Sequence, residues 1–278
     1  MNQIAPISRP LAFKLLIPCY NNREGLIRSL ESVSFPPNES GEYGILIVDD
    51  GSTEPVSLSW FKNIIDSSVP LEILRLPVNS GITVALNAGL ERIARDGNVR
   101  YIARLDCGDV CVPERFTEQV AFLEAHPEID LVGSWCVFEA PGGLSYLYKT
   151  PTEHAGIRKG MYFRNIFIHP TVMWRTSAMA KVGVYPNTFP HAEDYGFFQM
   201  LLQKGRGAVI PRPLVTCELN PAGISRQFRQ AQLRSRMKVV LAFGENKLLK
   251  TIGVVKLLLL QLVPYSLLLT AKKVWSPG

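Results

Sequence analysis

Five short apolar runs recur along the first half of the chain. They are FKLLIPC at 13–19, YGILIVD at 43–49, LEILRLP at 71–77, YIARLD at 101–106 and LVGSWCVFE at 131–139. Their length and their richness in Val, Ile and Leu read as buried strands. The stretches between them carry helical spacing. Arg23–Ser34 places Leu26, Ile27, Leu30 and Val33 on one face, and Ile82–Arg95 does the same with Val84, Leu86, Leu90 and Ile93. Pro113–Ala125 opens with proline at a first-turn position. Strands alternating with helices roughly every 30 residues predict βαβ units around a mostly parallel, Rossmann-like sheet. Right-handed crossovers then bring the loops that follow the strands to one sheet edge, where ligands bind.

After about residue 140 the rhythm breaks. APGGLSYLYKTPTEHAG reads as loop, and residues 167–174 hold His169-Pro170 followed by a strand-like TVMW. Glu193–Lys204 reads as a helix, and Arg226–Phe243 as a basic one. Val209–Leu219 carries two prolines, which predicts an edge strand at best. There is no internal repeat. The expected division is one domain over 1–225, whose second half, 140–225, completes a site that the first half, 1–139, begins. C-terminal amphipathic and apolar helices follow at 226–278.

The tail LLKTIGVVKLLLLQLVPYSLLLTAKKVW, 248–275, is dominated by leucine and valine. Its longest uncharged run, Leu257–Ala271, is 15 residues, and Pro264 interrupts it. A bilayer crossing needs about 20 apolar residues. Lys250, Lys256, Lys272 and Lys273 enter or flank the run, with Arg226, Arg229, Arg234, Arg236 and Lys238 upstream. This pattern fits helices lying on a membrane surface with basic anchors. A packing helix of the main domain and a true span, with Lys256 reaching the interface, are the other readings.

Composition narrows the field. The 278 residues are 47% hydrophobic and 19% charged, enough for a sizeable core and unlike a disordered chain. The net charge of +6 suits an anionic partner. Nucleic acid is disfavoured, because the basic residues gather near the apolar tail and no stacked aromatic platform appears. The five cysteines, at 19, 107, 111, 136 and 217, are odd in number and form no CxxC pair. They suggest a reducing cytoplasm and no zinc site. The N-terminus carries no secretory signal pattern.

The predicted strand ends hold the chemistry. In order they are Pro18-Cys19-Tyr20-Asn21-Asn22, Asp49-Asp50-Gly51-Ser52, Asn79-Ser80-Gly81 and Asp106-Cys107-Gly108-Asp109. Neither GxGxxG nor GxxxxGK[ST] occurs, which disfavours a dinucleotide fold and excludes a P-loop. Asp49 and Asp50 can accept hydrogen bonds from a base edge or a ribose, or cap a turn. Tyr20 can stack on a base or simply pack. Asp106 and Asp109 can hold Mg²⁺ or Mn²⁺ against a diphosphate, or cap the next helix. Cys107 and Cys111 stand beside carboxylates, which raise a thiol and disfavour thiol catalysis. Asp194, at the start of a predicted helix, serves either the macrodipole or as a general base.

IPCYNNREGLIRSLESV, ILIVDDGST, LPVNSGITVALNAGLERIA, YIARLDCGDVCVPERFTEQVAFLEAHPEIDLVGS, IHPTVMWRTSAMAKVGVY and HAEDYGFFQMLLQKG resemble the ordered motifs of family 2 glycosyltransferases with the GT-A fold. The bacterial enzymes that build O-antigen, capsule or exopolysaccharide are the nearest in character. The resemblance covers about 12–220 and implies a nucleotide-binding half at 1–139 and an acceptor-binding half at 140–225. It implies an inverting transfer of a hexose from a nucleotide sugar, a UDP-sugar, to a hydroxyl of a lipid-linked glycan. The site would be cytoplasmic, on the inner face of the cytoplasmic membrane, with 248–275 as the membrane contact. A dTDP-deoxysugar donor, or a non-catalytic nucleotide-sugar-binding subunit, are the alternatives.

Carried over, Pro18 and Tyr20 belong to the base-binding loop, and Asp49 and Asp50 hold base or ribose. Asn79 and Gly81 shape the nucleotide pocket. Asp106 and Asp109 match the metal motif, with Mn²⁺ or Mg²⁺ as the implied ion and Asp106 also beside the nucleotide. Glu193-Asp194 matches the acidic pair whose aspartate is the base, and His169 lines the acceptor or donor pocket. One departure stands out: the family's middle acid is Gly108 here. Asp109 must then be the principal ligand, or the metal is bound less tightly; a cationic side chain such as Arg226 in GISRQFRQ can also share the work.

Overall fold

The computed structural model describes residues 11–35, 43–140, 143, 145–219 and 227–263. Its centre is a mixed nine-stranded sheet. The first half follows the expected alternation: β1 (Leu11–Cys19), α1 (Arg23–Glu31), β2 (Tyr43–Asp49), β3 (Leu71–Arg75), α2 (Ile82–Asp96) and β4 (Val99–Arg104). These strands lie side by side in the order β3-β2-β1-β4, all parallel. Each successive residue of β1 faces the opposite side, because strand side chains alternate. Leu15 and Ile17 join the core on the α1 side, and Leu16 joins the core on the α2 side. A strand buried on both faces has no polar alternation, which is why these runs read as continuously apolar.

The second half is mixed. It comprises the two-residue β5 (Val110–Cys111), α3 (Arg115–Ala125), β6 (Leu131–Glu139), β7 (Ser145–Tyr148) and α4 (His154–Gly160). Then come β8 (Met173–Arg175), α5 (Thr176–Val182), α6 (Glu193–Lys204) and β9 (Gly207–Glu218). The three-residue β8 wedges between β4 and β6, antiparallel to both. β9 runs parallel to β6 from Leu131↔Gly207 to Glu139↔Glu218 and pairs with β5 on its other side. The expectation of an edge strand at best is therefore corrected. The register shifts between Ser134 and Cys136, opposite Pro211 and Pro213, so an irregularity absorbs the two residues that cannot donate to the ladder.

Two helices close the described chain, α7 (Arg229–Phe243) and α8 (Lys247–Leu262). Leu233, Val239, Val240 and Leu257 enter the same core as α2 and α6. No helix among the described residues is long and apolar enough to cross a membrane. The opposite face of α8 is apolar too: Leu248, Ile252, Val255, Leu259 and Leu262 are exposed at helical spacing. Residues 264–275 of the tail lie outside the described residues.

Gly89 sets how close α2 comes to the sheet. A Cβ there would lie 2.5 Å from Leu16 Cδ1 and 3.0 Å from Val48 Cγ2. Alanine normally gains about 1 kcal/mol over glycine in a helix. Overpacking a tight core costs about 1–3 kcal/mol, so the cost wins here. Gly89→Ala is expected to destabilise the fold by about 1–2 kcal/mol in urea unfolding; a stabilised variant would show that the helix–sheet gap has slack.

Candidate active site

The loops after β1 and β2 are stitched together. Asn21 takes a left-handed backbone with φ 47°, its amide donates to Ser52 Oγ at 3.0 Å, and its side-chain oxygen accepts from Thr53 N at 2.8 Å. Tyr20, one residue earlier, stands half-exposed at 48%. Asp49 is fully buried and accepts from Ser52 N, Val56 N and Arg75 Nη1. Burial alone would raise its carboxyl, but those donors hold it below the usual range. Asp50 is buried and accepts from Ser80 N at 2.8 Å and Gly81 N at 2.9 Å. Asp50 thereby fixes the turn that leads into α2, where Gly81 has φ 88° and Asn79 is exposed.

The turn after β4 is gripped by one face of α1. Asn22 Nδ2 donates to Cys107 O at 3.3 Å, and Ser29 Oγ donates to Asp106 O at 3.2 Å. Gly108 N donates to Gly25 O at 3.1 Å and to Ser29 Oγ at 2.9 Å. Arg28 donates to Gly108 O, and Cys111 N donates to Ser32 Oγ. The Cys107 thiol donates to Pro18 O at 3.2 Å, tying the turn to the end of β1. Its contact with Cys19 and its burial raise that thiol, so it is held as a neutral packing group.

Arg104, the last residue of β4, has no exposed surface. Its guanidinium donates to Leu16 O at 2.6 Å, to Leu105 O at 3.0 Å and to Asp106 Oδ1. Its Nε also lies 3.3 Å from His169 Nε2. Arginine is an obligate donor, so Nε2 is the unprotonated nitrogen and Tyr185 OH, 2.9 Å away, donates to it as well. Burial and the Arg104 charge push His169 down to about 3. His169 is therefore a neutral imidazole. Arg115 backs this arrangement, donating to Arg104 O at 2.6 Å from a fully buried position.

The carboxylates converge on the same region. Asp109 accepts from Glu218 N at 2.8 Å, and burial together with the Asp106 charge pushes it up to about 8. Glu193, at the start of α6, is 8% exposed and its Oε2 has no hydrogen-bond partner. Burial and the neighbouring Asp194 push it up to about 7. Asp194 accepts from Tyr195 N at 2.7 Å and Asn165 Nδ2 at 2.9 Å, and burial raises it. The Asp106 charge acts on His169, Glu193 and Asp194 alike, so the β4 end, the turn before β8 and the start of α6 share one site.

Among the described residues no three metal-ligating side chains form a ready-made cage. A Mg²⁺ or Mn²⁺ that arrives with a diphosphate needs only one or two carboxylates, the rest of its shell being phosphate oxygen and water. Asp106 and Asp109 fit that role. Burial is the main reason Asp109 is raised and the Asp106 charge adds to it, a repulsion that a cation between the two carboxylates would offset. Arg226 lies outside the described residues.

A family model described as glycosyl transferase family 2 matches residues 15–189. The chain belongs to the family 2 glycosyltransferases. The amylovoran biosynthesis glycosyltransferase AmsE of Erwinia amylovora is 32% identical over 199 residues, covering 69% of this chain and 70% of that protein. The UDP-Gal:alpha-D-GlcNAc-diphosphoundecaprenol beta-1,3-galactosyltransferase of Escherichia coli is 27% identical over 198 residues, 69% of this chain and 68% of that one. Among solved structures, S. aureus TarS 1–349 in complex with UDP-GlcNAc superposes with TM-score 0.61 at 18% identity, over 89% of this chain and 72% of TarS. The mannosyltransferase PcManGT of Pyrobaculum calidifontis, in complex with GDP-Man and Mn2+, gives 0.62 at 15%, over 91% and 71%. Both likenesses support the GT-A fold.

As a family 2 glycosyltransferase, the chain brings Asp106, Asp109, His169, Glu193 and Asp194 together, with Pro18 and Asp50 on adjacent strand ends. Sequence reasoning missed Arg104, Tyr185, Asn165, Arg28 and Glu218. Arg104 left one signal: a charge inside an otherwise apolar strand run, two residues before an aspartate.

Glu193 gives a pH test. Its folded value, about 7, lies above its unfolded 4.5, so the folded state binds more protons between them. Its contribution to stability falls as pH rises through that window. Relative to the parent, Glu193→Gln is expected to gain on the order of 2–3 kcal/mol in urea unfolding between about pH 5 and about pH 8. A pH-independent difference would place Glu193 in a solvated setting. His169, depressed instead, acts in the opposite direction in both proteins and cancels from the comparison.

Proposed function

We propose that the chain moves a hexose from a UDP-sugar to a hydroxyl of a lipid-linked glycan, with inversion, in bacterial surface-polysaccharide synthesis. The observation that carries this reading is Asp194, a buried, raised carboxyl fixed by Asn165 and Tyr195 N in the site that Asp106 shares. A positioned carboxylate with a raised affinity for protons suits a general base. The E. coli relative, named for UDP-Gal and a diphosphoundecaprenol-linked sugar, and the TarS complex with UDP-GlcNAc support the donor and acceptor classes.

In this reading Tyr20 and Pro18 receive the base, and Asp50 holds base or ribose while it fixes Asn79 and Gly81 around the nucleotide. Asp49 orders the same loop from beneath. Asp106 and Asp109 would hold a Mn²⁺ or Mg²⁺ ion, which when bound offsets charge on the diphosphate. The Mn2+ in the PcManGT complex supports that choice. Asp194 takes the acceptor hydroxyl proton, and the oxygen attacks the anomeric carbon from the face opposite the nucleotide. Glu193 and the neutral His169 line the pocket, where His169 can donate from Nδ1 but carries no charge. Orientation of the two substrates supplies much of the rate.

The acceptor's lipid implies a membrane surface, and the outer face of α8 offers one. Five apolar side chains at helical spacing, with Lys247, Lys250 and Lys256 on the same helix, suit insertion among anionic headgroups. The working place is then the inner face of the cytoplasmic membrane.

Asp194→Asn is expected to lower kcat by about 10²–10⁴-fold while UDP affinity stays within about threefold. Undiminished turnover in that variant would remove Asp194 from the role of base. For the membrane contact, the full chain with Ile252→Glu and Leu259→Glu is expected to stay in the soluble fraction when floated with vesicles containing phosphatidylglycerol. Flotation equal to the parent would rule out the α8 face.

A further inference from the structure

Arg236 is a partly buried cation without a partner. It stands on α7 three residues after Leu233 and three before Val239, both buried, so it lies on the side of the helix that packs toward α6. It makes no hydrogen bond and no ion pair with any described residue. Elsewhere in the fold such cations are neutralised: Lys14, Arg92 and Arg158 each meet a carboxylate within 3.2 Å. The Arg236 charge is felt instead by Asp194 and Tyr195 at the start of α6 and by Tyr148 in β7.

Two more cations face the same region, and neither pairs with a carboxylate among the described residues. Arg164 Nη1 donates to Tyr148 OH at 2.9 Å, and its guanidinium carbon lies 4.9 Å from the centre of that ring. Lys256 Nζ lies 5.9 Å from the centre of the Phe163 ring. Gly253 allows this approach, since a Cβ there would lie 2.2 Å from Tyr162 O. Partial burial, with the Arg164 charge adding to it, lowers the Lys256 ammonium. Like charges left unpaired beside one another favour an anion.

Three consecutive residues set the order of the site. Phe163 faces Lys256, Arg164 reaches Tyr148, and Asn165 Nδ2 holds Asp194 Oδ2 at 2.9 Å. Their Cα atoms span at most about 7 Å. Lys256 in turn borders the exposed apolar face of α8, with Ile252 one turn before it and Leu259 three residues after. Apolar face, cations and carboxyl therefore follow one another. A lipid-linked acceptor carries its parts in that order: an apolar chain, a diphosphate and a sugar hydroxyl. We propose that Arg236, with Arg164 and Lys256, is the site for the diphosphate of that acceptor. The inference rests on the lipid-linked reading above and adds the residues that take the acceptor's charge. Guanidinium groups suit it, because a planar fork binds phosphate oxygens in pairs.

The probe is farnesyl diphosphate, titrated by calorimetry into the full chain. UDP in excess fills the donor site, and EDTA keeps any metal from bridging the probe. Arg236→Gln removes no hydrogen bond between described residues. It is expected to weaken the probe by about 10–100-fold, the size of a charge-assisted hydrogen bond. Lys256→Gln, on the other helix, is expected to weaken it as well. UDP affinity and flotation with phosphatidylglycerol vesicles should match the parent in Arg236→Gln. Parent-like probe binding in either variant overturns the proposal, as does a parent that binds neither the probe nor inorganic pyrophosphate. An equal loss of UDP affinity in Arg236→Gln also overturns it, by assigning the cation to the donor, and lost flotation does so by assigning it to membrane headgroups. Inorganic pyrophosphate that binds through Arg236 as tightly as the farnesyl probe would leave the anion site standing and sink the lipid-linked reading instead.

Discussion

The guanidinium of Arg104 is the interaction on which the site depends. A buried positive charge is tolerated only when its donors are spoken for. Here two go to the carbonyls of Leu16 and Leu105, one to Asp106 and one toward His169. The partners come from three pieces of the structure: β1, the turn after β4, and the turn before β8. Satisfying one side chain therefore fixes the meeting point of the parallel half and the mixed half. Burial, helped by the same charge, keeps His169 neutral, and the donors Arg104 and Tyr185 occupy its Nε2, leaving Nδ1 free.

The sheet topology explains why those pieces meet. β8 is only three residues long, yet its insertion between β4 and β6 carries His169 to the end of β4 and lets α6 begin beside it. The short antiparallel wedge gives the parallel sheet a second wall at the end of β4.

Much of this was legible in the chain. The strands β1 to β4 announced themselves because burial on both faces leaves no polar positions, and α2 and α6 because their apolar spacing is regular. β9 was misjudged, since its two prolines argue against internal pairing unless a register shift houses them. β8 and β5 are too short for any period to show. At Asp49 and Asp50 the sequence allowed either a turn or a ligand contact. The structure shows the turn-building bonds of both, with Asp49 buried beneath the loop that Asp50 ties to α2. Arg104 was hidden by its strand, and the meeting of Asp109 with Glu218 is a property of the fold alone, since no local pattern links residues so far apart.

The grip of α1 on the turn at 106–111 has an evolutionary consequence. Asn22, Gly25, Arg28, Ser29 and Ser32 bond to amides and carbonyls of that turn, not to its side chains. Contacts of this kind do not see which residue is present. Where its backbone is ordinary the turn can exchange one residue for another and keep its position, but at Gly108 the φ of 105° restricts the exchange. The side chains around the glycine can then vary while the scaffold stays constant, and the glycine itself is held by its backbone.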